Sequence, residues 1–359
     1  MEYIDLSNKT ILVTGSAGFI GAALCIKLLD RNHTVKLIGI DNMNGYYDVG
    51  LKEYRLRQIR KIAESIDADW SFTGGDISDP DFVKEVFLRY KPDIVVNLAA
   101  QAGVRYSIDN PDAYISSNII GFYNILEACR HSSEHYPGVL HLVYASSSSV
   151  YGASSKVPFS TDDRVDNPVS LYAATKKSNE LFAHAYSKLY DIAATGLRFF
   201  TVYGPAGRPD MAYFGFTDKL LRGETIRIFN YGNCERDFTY IDDITEGVIR
   251  VMENAPERRI GEDGLPEPRH TVYNIGNSSP ENLLDFVDIL QQELIIAGVL
   301  PEDYDFEAHK ELVPMQPGDV PVTFADTSPL ERDFGFRPST PLRTGLRRFA
   351  EWYKDYYRV

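Results

Sequence analysis

Tyr172 and Lys176 stand four residues apart in the run Tyr172-Ala173-Ala174-Thr175-Lys176, which follows a segment ending in four serines, Ser146 to Ser149. On a helix, positions i and i+4 share a face, so the lysine ammonium stands beneath the tyrosine ring. A phenol is a poor base at neutral pH, but a nearby ammonium and a cationic nicotinamide ring favour the phenolate. A serine hydroxyl on the facing loop, with Ser147 as the candidate, relays or shares the proton. The chemistry implied is proton transfer coupled to hydride transfer at an alcohol carbon, with Tyr172, Lys176 and Ser147 as the catalytic group.

A hydride acceptor is indicated near the N-terminus. The β-rich run Thr10–Thr14 leads into Gly15-Ser16-Ala17-Gly18-Phe19-Ile20-Gly21 and then a helical pattern. Gly15 permits the tight turn, Gly18 lets the backbone approach a pyrophosphate, and Gly21 lets the helix pack on the strand. The helix N-terminus directs free N–H groups at the phosphates. Asp41 closes a second β-rich run 20 residues after Gly21, the spacing of an acid that binds the adenosine ribose. That carboxylate accepts from ribose hydroxyls and repels a 2′-phosphate, so the expected cofactor is NAD rather than NADP.

These groups need a scaffold. Strand patterns at 10–14, 34–40, 70–73, 93–98, 139–145 and 192–199 alternate with helical patterns at 18–30, 51–63, 80–90, 111–130 and 170–190. Such alternation predicts an α/β fold with a doubly wound parallel (Rossmann) sheet, whose ligands gather at the strands' carboxyl ends. Asp76 and Ile77, then Ala99, Ala100 and Gln101, then the serines, then Thr201, all fall at such ends. After Tyr203 the turn-rich Gly204-Pro205-Ala206-Gly207-Arg208-Pro209 opens a different region. It carries a helix at 211–222, a strand at 225–229, a helix at 240–253, a strand at 271–275 and helices at 280–296 and 342–357. Residues 254–268 mix Pro, Gly and charge and are expected to form an exposed, mobile loop. The predicted organisation is a NAD-binding domain at 1–202, with returning segments at about 240–277, and a smaller interleaved α+β C-terminal lobe at 203–239 and 278–359 that binds substrate.

Composition bounds the partners. The 359 residues carry a net charge of −14, which argues against nucleic acid or an anionic membrane as partner. An anionic substrate must be held by a local cluster of arginines and backbone donors. Apolar runs are too short to span a bilayer, and with eight residues before Lys9 no signal peptide is expected. Three scattered cysteines, Cys25, Cys129 and Cys234, suit a reducing cytoplasm and read as packing residues. His131-Ser132-Ser133-Glu134-His135 matches an H-x-x-E-H metal spacing, but no third ligand is evident and it reads as a solvated helix end; no metal is expected.

With these residues in view, the chain resembles the extended short-chain dehydrogenase/reductase (NAD-dependent epimerase/dehydratase) superfamily, and within it the UDP-glucuronate 4-epimerases of nucleotide-sugar metabolism. The resemblance runs through residues 41–48, 99–107, 170–176, 199–205, 208–212 and 236–243. The segments around Arg105 and Arg208 are specific to the uronate branch. Ala206 departs from the tryptophan of most relatives and loosens the wall beside the sugar. The resemblance adds Phe19, Ile20, Asn42, Leu98 and Asn118 as cofactor contacts. It implies that Arg236 and Asp319 contact the diphosphate and the ribose or uracil, with Ile228 and Phe229 as walls for the base.

By the same resemblance, relatives that dehydrate nucleotide sugars carry Asp-Glu before Val-Tyr-Gly, and those that decarboxylate UDP-glucuronate carry Glu there. This chain has Ser148-Ser149-Val150-Tyr151-Gly152. Simple oxidation and re-reduction at C4 remains, without loss of carbon dioxide, and the serine strip's other reading is a polar loop in which Ser146 satisfies its own backbone. A 4-keto uronate is a β-keto acid, so its carboxylate must be held by donors and out of line with the carbonyl. Ser147, Ser148 and Thr201 supply hydroxyls, and Arg105 and Arg208 are the candidate charge partners. Thr201 stands where epimerases of neutral hexoses carry Asn. The alternatives are a UDP-hexose 4-epimerase, a UDP-glucuronate decarboxylase, or a non-catalytic NAD-sensing scaffold. The helices at 111–130 and 170–190 resemble those that form a dimeric four-helix interface, so a cytoplasmic homodimer is expected.

Overall fold

The central strands are apolar on both faces because both faces are covered. In the computed structural model, which describes residues 1–315 and 320–359, seven parallel strands form one sheet. In spatial order they are His270–Ile275, Ala194–Phe199, His141–Ser147, Ile94–Asn97, Thr10–Thr14, Lys36–Asp41 and Trp70–Gly74. Alternate residues of one strand enter different cores. Ile11 and Val13 pack with the helices Phe19–Arg31, Val49–Ser65 and Ile241–Met252, while Leu12 packs with Pro80–Tyr90, Gly121–His131 and Leu171–Tyr190. This is the doubly wound arrangement expected from the alternation of patterns. Successive strands are added on one side of Thr10–Thr14 and then, from Ile94–Asn97 on, on the other, and the cleft opens at the carboxyl ends of these two parallel neighbours.

The C-terminal region adds a three-stranded sheet ordered Pro280–Asn282, Glu235–Tyr240, Thr201–Tyr203, and a parallel pair of Ile226–Ile228 with Lys310–Leu312. Glu235–Tyr240 has no clear period in sequence. Its anchor is tertiary: the buried Asp237 carboxylate accepts from the backbone N–H groups of Asn277, Ser278 and Ala325 at 2.7, 3.1 and 3.0 Å.

Three expected elements differ. The helix expected over 111–130 is Pro111–Tyr114, a π-helical stretch Ile115–Ile120, and Gly121–His131. The inserted residue in a π turn rotates the face, and Asn118 points inward to bond with Gln101. The helix expected from Pro280 begins at Leu283, because Pro280–Asn282 pairs with Glu235–Asp237 and the Asn282 side chain caps the Leu284 N–H at 2.8 Å. Within 254–268, Asn254–Ala255 is a short strand paired with Glu2–Tyr3, while Ile260 and Leu265 are exposed.

Two histidines make stability depend on pH. His141 is buried between the Met252 carbonyl and the Thr195 hydroxyl, and His270 meets the Tyr144 hydroxyl at 2.8 Å. Burial pulls both down to about 4 from 6.5. The unfolded chain therefore binds protons that the fold excludes, so stability is present above pH 6.5 and is lost as pH falls towards 4. The expected loss is on the order of 3 kcal/mol per histidine at the acid end. Denaturant titrations across this window should show a smaller fall for His141→Gln; an equal fall in both proteins would contradict the assignment.

Candidate active site

The cleft, about 1030 Å³, runs from the glycine-rich turn to Phe229, Arg236 and Thr323. Its first part is shaped for a dinucleotide. Gly15 has φ +70°, and a Cβ there would lie 2.8 Å from the Ala99 nitrogen. A Cβ on Gly21 would lie 2.1 Å from the Gly15 carbonyl oxygen, so the turn admits no side chain where backbone must approach a pyrophosphate. Gly18 precedes the helix Phe19–Arg31, whose first turn holds no acid to compete with phosphate. Asp41 ends its strand with Oδ2 accepting from Ala17 N at 3.2 Å and Oδ1 from Met43 N at 2.8 Å, which aims its remaining lone pairs into the cleft. Asn42 donates to Asp76 at 2.7 Å. Burial pushes the Asp76 carboxyl up, but donors from Asn42 and Ser78 outweigh it and hold the group below its ordinary value.

Phe19, Ile20, Ile77, Leu98, Ala99, Ala100 and Gln101 also line the cleft. Asn118 does not. It stands behind the wall, accepting from Gln101 N at 2.9 Å and donating to Gln101 O at 3.0 Å, so it positions that segment. The residues present fit a dinucleotide.

The Tyr172 helix, Leu171–Tyr190, starts where Ser170 accepts from Ala173 N at 3.1 Å. Lys176 is one turn on, its Nζ donating to the Ala145 carbonyl at 3.0 Å and lying 6.0 Å from the Tyr172 ring centre. Burial pulls the Lys176 ammonium down to about 8. Burial pushes the Tyr172 phenol up; a hydrogen bond with Ser147 and the Arg208 charge pull it back, and Asp210 opposes them. Ser147 Oγ in turn accepts from Ser149 N at 3.2 Å and Ser149 Oγ at 2.9 Å. Ser149 is thus a supporting donor to Ser147, a role that the run of four serines does not single out.

Ser146 does not satisfy its own backbone. It donates to Glu180 Oε1 at 2.6 Å, and Glu180 forms a buried fork with Arg198 at 2.8 and 2.9 Å. Because Glu180 lies one turn beyond Lys176, this pair ties the Tyr172 helix to both the serine strand and its neighbour. Nothing in the local sequence around either residue signals it.

On the substrate side, Ser148, Thr201, Arg208 and Arg236 line the cleft. Arg208 is not open to solvent alone: its Nε and Nη2 donate to Asp210 at 3.0 and 2.5 Å, and Tyr46 donates to the same carboxylate at 3.3 Å. Burial and then Asp210 push the Tyr46 phenol up to about 12. Tyr46 was missed because it lies 164 residues from Asp210; Asp210, two residues from Arg208, is a local partner that no motif marks. The turn that carries Arg208 is anchored by the buried Arg55, which donates to Ala206 O, Gly207 O and, across the cleft base, Ala17 O at 2.9, 2.8 and 3.1 Å. Ala206 adopts φ +52° there.

Arg105 lies elsewhere. Its guanidinium packs over the Phe229 ring at 5.2 Å, at the end of the cleft where the base wall was expected, whereas Arg208 is the arginine whose charge reaches Tyr172. Ile228 is fully buried behind Phe229 and does not face the cleft. Arg236 donates to the Pro321 carbonyl at 3.1 Å. Asp319 lies outside the described residues. His131 pairs with Glu134 at 2.7 Å, and among the described residues no group of three His, Cys, Asp or Glu side chains is arranged to hold a metal. Nor is any helix among them long and apolar enough to cross a membrane.

Residues 11–276 match the model of the NAD dependent epimerase/dehydratase family. The chain is 48% identical over 97% of its length to Protein CapI of Staphylococcus aureus, covering 99% of that protein. It is 45% identical, again over 97% of its length, to UDP-glucuronate 4-epimerase 4 of Arabidopsis thaliana, covering 76% of it. The fold superposes with TM-score 0.81 on UDP-glucuronic acid 4-epimerase of Bacillus cereus in complex with UDP-glucuronic acid and NAD, at 31% identity, over 97% of this chain and all of that one.

Proposed function

The chain belongs to the NAD dependent epimerase/dehydratase family, and from that premise we propose that it interconverts UDP-glucuronate and UDP-galacturonate by inversion at C4. The observation that carries this reading is the pairing of Tyr172, Ser147 and Lys176 with an arginine, Arg208, in one cleft whose position 149 is serine. When bound, NAD supplies a hydride acceptor and then a hydride donor. Gly15, Gly18 and Gly21 form its phosphate cradle, and Asp41, Asn42 and Asp76 hold the adenosine end.

Tyr172 takes the C4 hydroxyl proton through or beside Ser147 and later returns one. Lys176, close beneath the ring, stabilises the phenolate. Between the two half-reactions the 4-keto sugar turns about its diphosphate linkage and presents its opposite face. While the C4 carbonyl forms, Ser148, Thr201 and Arg208 hold the carboxylate by hydrogen bonds and charge, which keeps its C–C bond from aligning with the carbonyl π system and suppresses decarboxylation. Arg236 and the segment around Val320 and Thr323 take the nucleotide, with Phe229 as one wall and Arg105 above it.

The test is an NMR time course of UDP-glucuronate labelled with deuterium at C4, incubated with purified protein. Formation of UDP-galacturonate that retains the label is the expected result; wash-out of the label, or release of carbon dioxide, would overturn the reading.

The assembly belongs to the same proposal. Ile115, Ile120, Tyr123, Leu181 and Leu189 are exposed on adjacent helical segments and supply the apolar face for a homodimer, which sedimentation would detect. A cytoplasmic setting follows from the three free, buried cysteines.

A further inference from the structure

A uronate carboxylate and Asp210 want the same group. Asp210 already occupies the side-on fork of Arg208 with two parallel bonds, the arrangement in which arginine grips a carboxylate best. The pair is not sealed in the core. The two side chains keep 24% and 27% of their surface exposed, on the cleft wall beside Tyr172, so a ligand reaches both. Tyr46 donates to Oδ2, the oxygen that also takes Arg208 Nη2, and so draws electron density from the acceptor that Arg208 uses.

We propose that Asp210 is the exchange partner of Arg208: it holds the guanidinium when no substrate carboxylate is on it and yields the fork when one arrives. The inference rests on the UDP-glucuronate reading above. Inversion at C4 requires the sugar to turn, and the carboxylate on C5 turns with it, so the carboxylate leaves Arg208 between the half-reactions. A guanidinium left without a partner in a partly dry cleft is costly. With Asp210 within reach, departure becomes the replacement of one carboxylate by another on the same donors. The cost of turning the sugar falls, and the affinity for the resting uronate falls with it. Asp210 is thus a positioning residue acting through Arg208, and its signature is a trade between binding and turnover that appears only with acidic sugars. Tyr46 weakens Asp210 as a competitor, so its removal has the opposite sign.

The experiment measures calorimetric Kd for UDP-glucuronate and UDP-glucose, and kcat for UDP-glucuronate, in the native enzyme, Asp210→Asn and Tyr46→Phe. In Asp210→Asn, Kd for UDP-glucuronate should fall roughly threefold to tenfold, the range of a partly exposed charge-assisted pair, and kcat should fall with it. The Kd for UDP-glucose should move by less than about twofold, because no carboxylate contests the fork. In Tyr46→Phe, Kd for UDP-glucuronate should rise while that for UDP-glucose holds. Weaker uronate binding in Asp210→Asn, or equal shifts for both ligands, would overturn the exchange and leave Asp210 a structural brace. Should Asp210→Asn not fold, an unchanged affinity ratio in Tyr46→Phe would overturn it equally. A native enzyme that binds UDP-glucuronate and leaves it unconverted would instead overturn the functional reading itself.

Discussion

Replacing Tyr172 by Phe lowers kcat for UDP-glucuronate by about two to four orders of magnitude, the contribution of a positioned acid–base group. The substitution deletes one oxygen and keeps the ring that packs edge-on against Tyr114 at 6.0 Å, so the fold and substrate affinity are expected to hold. The loss therefore appears in kcat, with Kd near the native value, which identifies an interaction used in the transition state. Steady-state turnover followed by NMR, beside calorimetric binding, separates the two. Turnover within about tenfold of native would remove Tyr172 from the proton path, because no general base of this kind contributes so little.

Arg208→Ala strikes at selectivity. Deleting the guanidinium removes charge-assisted hydrogen bonds to a carboxylate, and kcat/KM for UDP-glucuronate is expected to drop by about two to three orders of magnitude. UDP-glucose has no carboxylate to lose, so its affinity falls far less. The variant also leaves Asp210 without its main partner and aims an unpaired negative charge at the incoming uronate, which adds to the selective loss. Arg208→Lys retains the charge but not the fork and should lie between the two. Equal losses for both nucleotide sugars would mean that Arg208 serves the diphosphate they share.

Much of the site was legible because its chemistry is local. A glycine turn constrained by backbone geometry, an acid at a set distance along the next strand, and a Tyr–Lys pair one helical turn apart are all short-range patterns, and each lies in the cleft. The doubly wound parallel sheet was legible for the same reason: buried parallel strands read as apolar runs divided by helices. Arg105 and Arg208 looked equivalent, since both are arginines in segments typical of the uronate branch. Folding separates them, one on Phe229 and one beside Tyr172.

Read by itself, the sequence shows the fold class, the dinucleotide cradle and the Tyr–Lys pair through residue types at short spacing, while the choice of oxidation with re-reduction rests on the family resemblance of the segment before Val150-Tyr151-Gly152. The tertiary structure alone decided what surrounds those groups: Glu180 on Ser146 and Arg198, Arg55 beneath the 204–208 turn, and Asp210 with Tyr46 on Arg208. The physical reason is that buried ions and competing carboxylates act through distance in space. Contacts between residues far apart in the chain leave no periodicity along it, and the one local pair, Arg208 with Asp210, gains its meaning only from the cleft that Tyr172 and Tyr46 share with it.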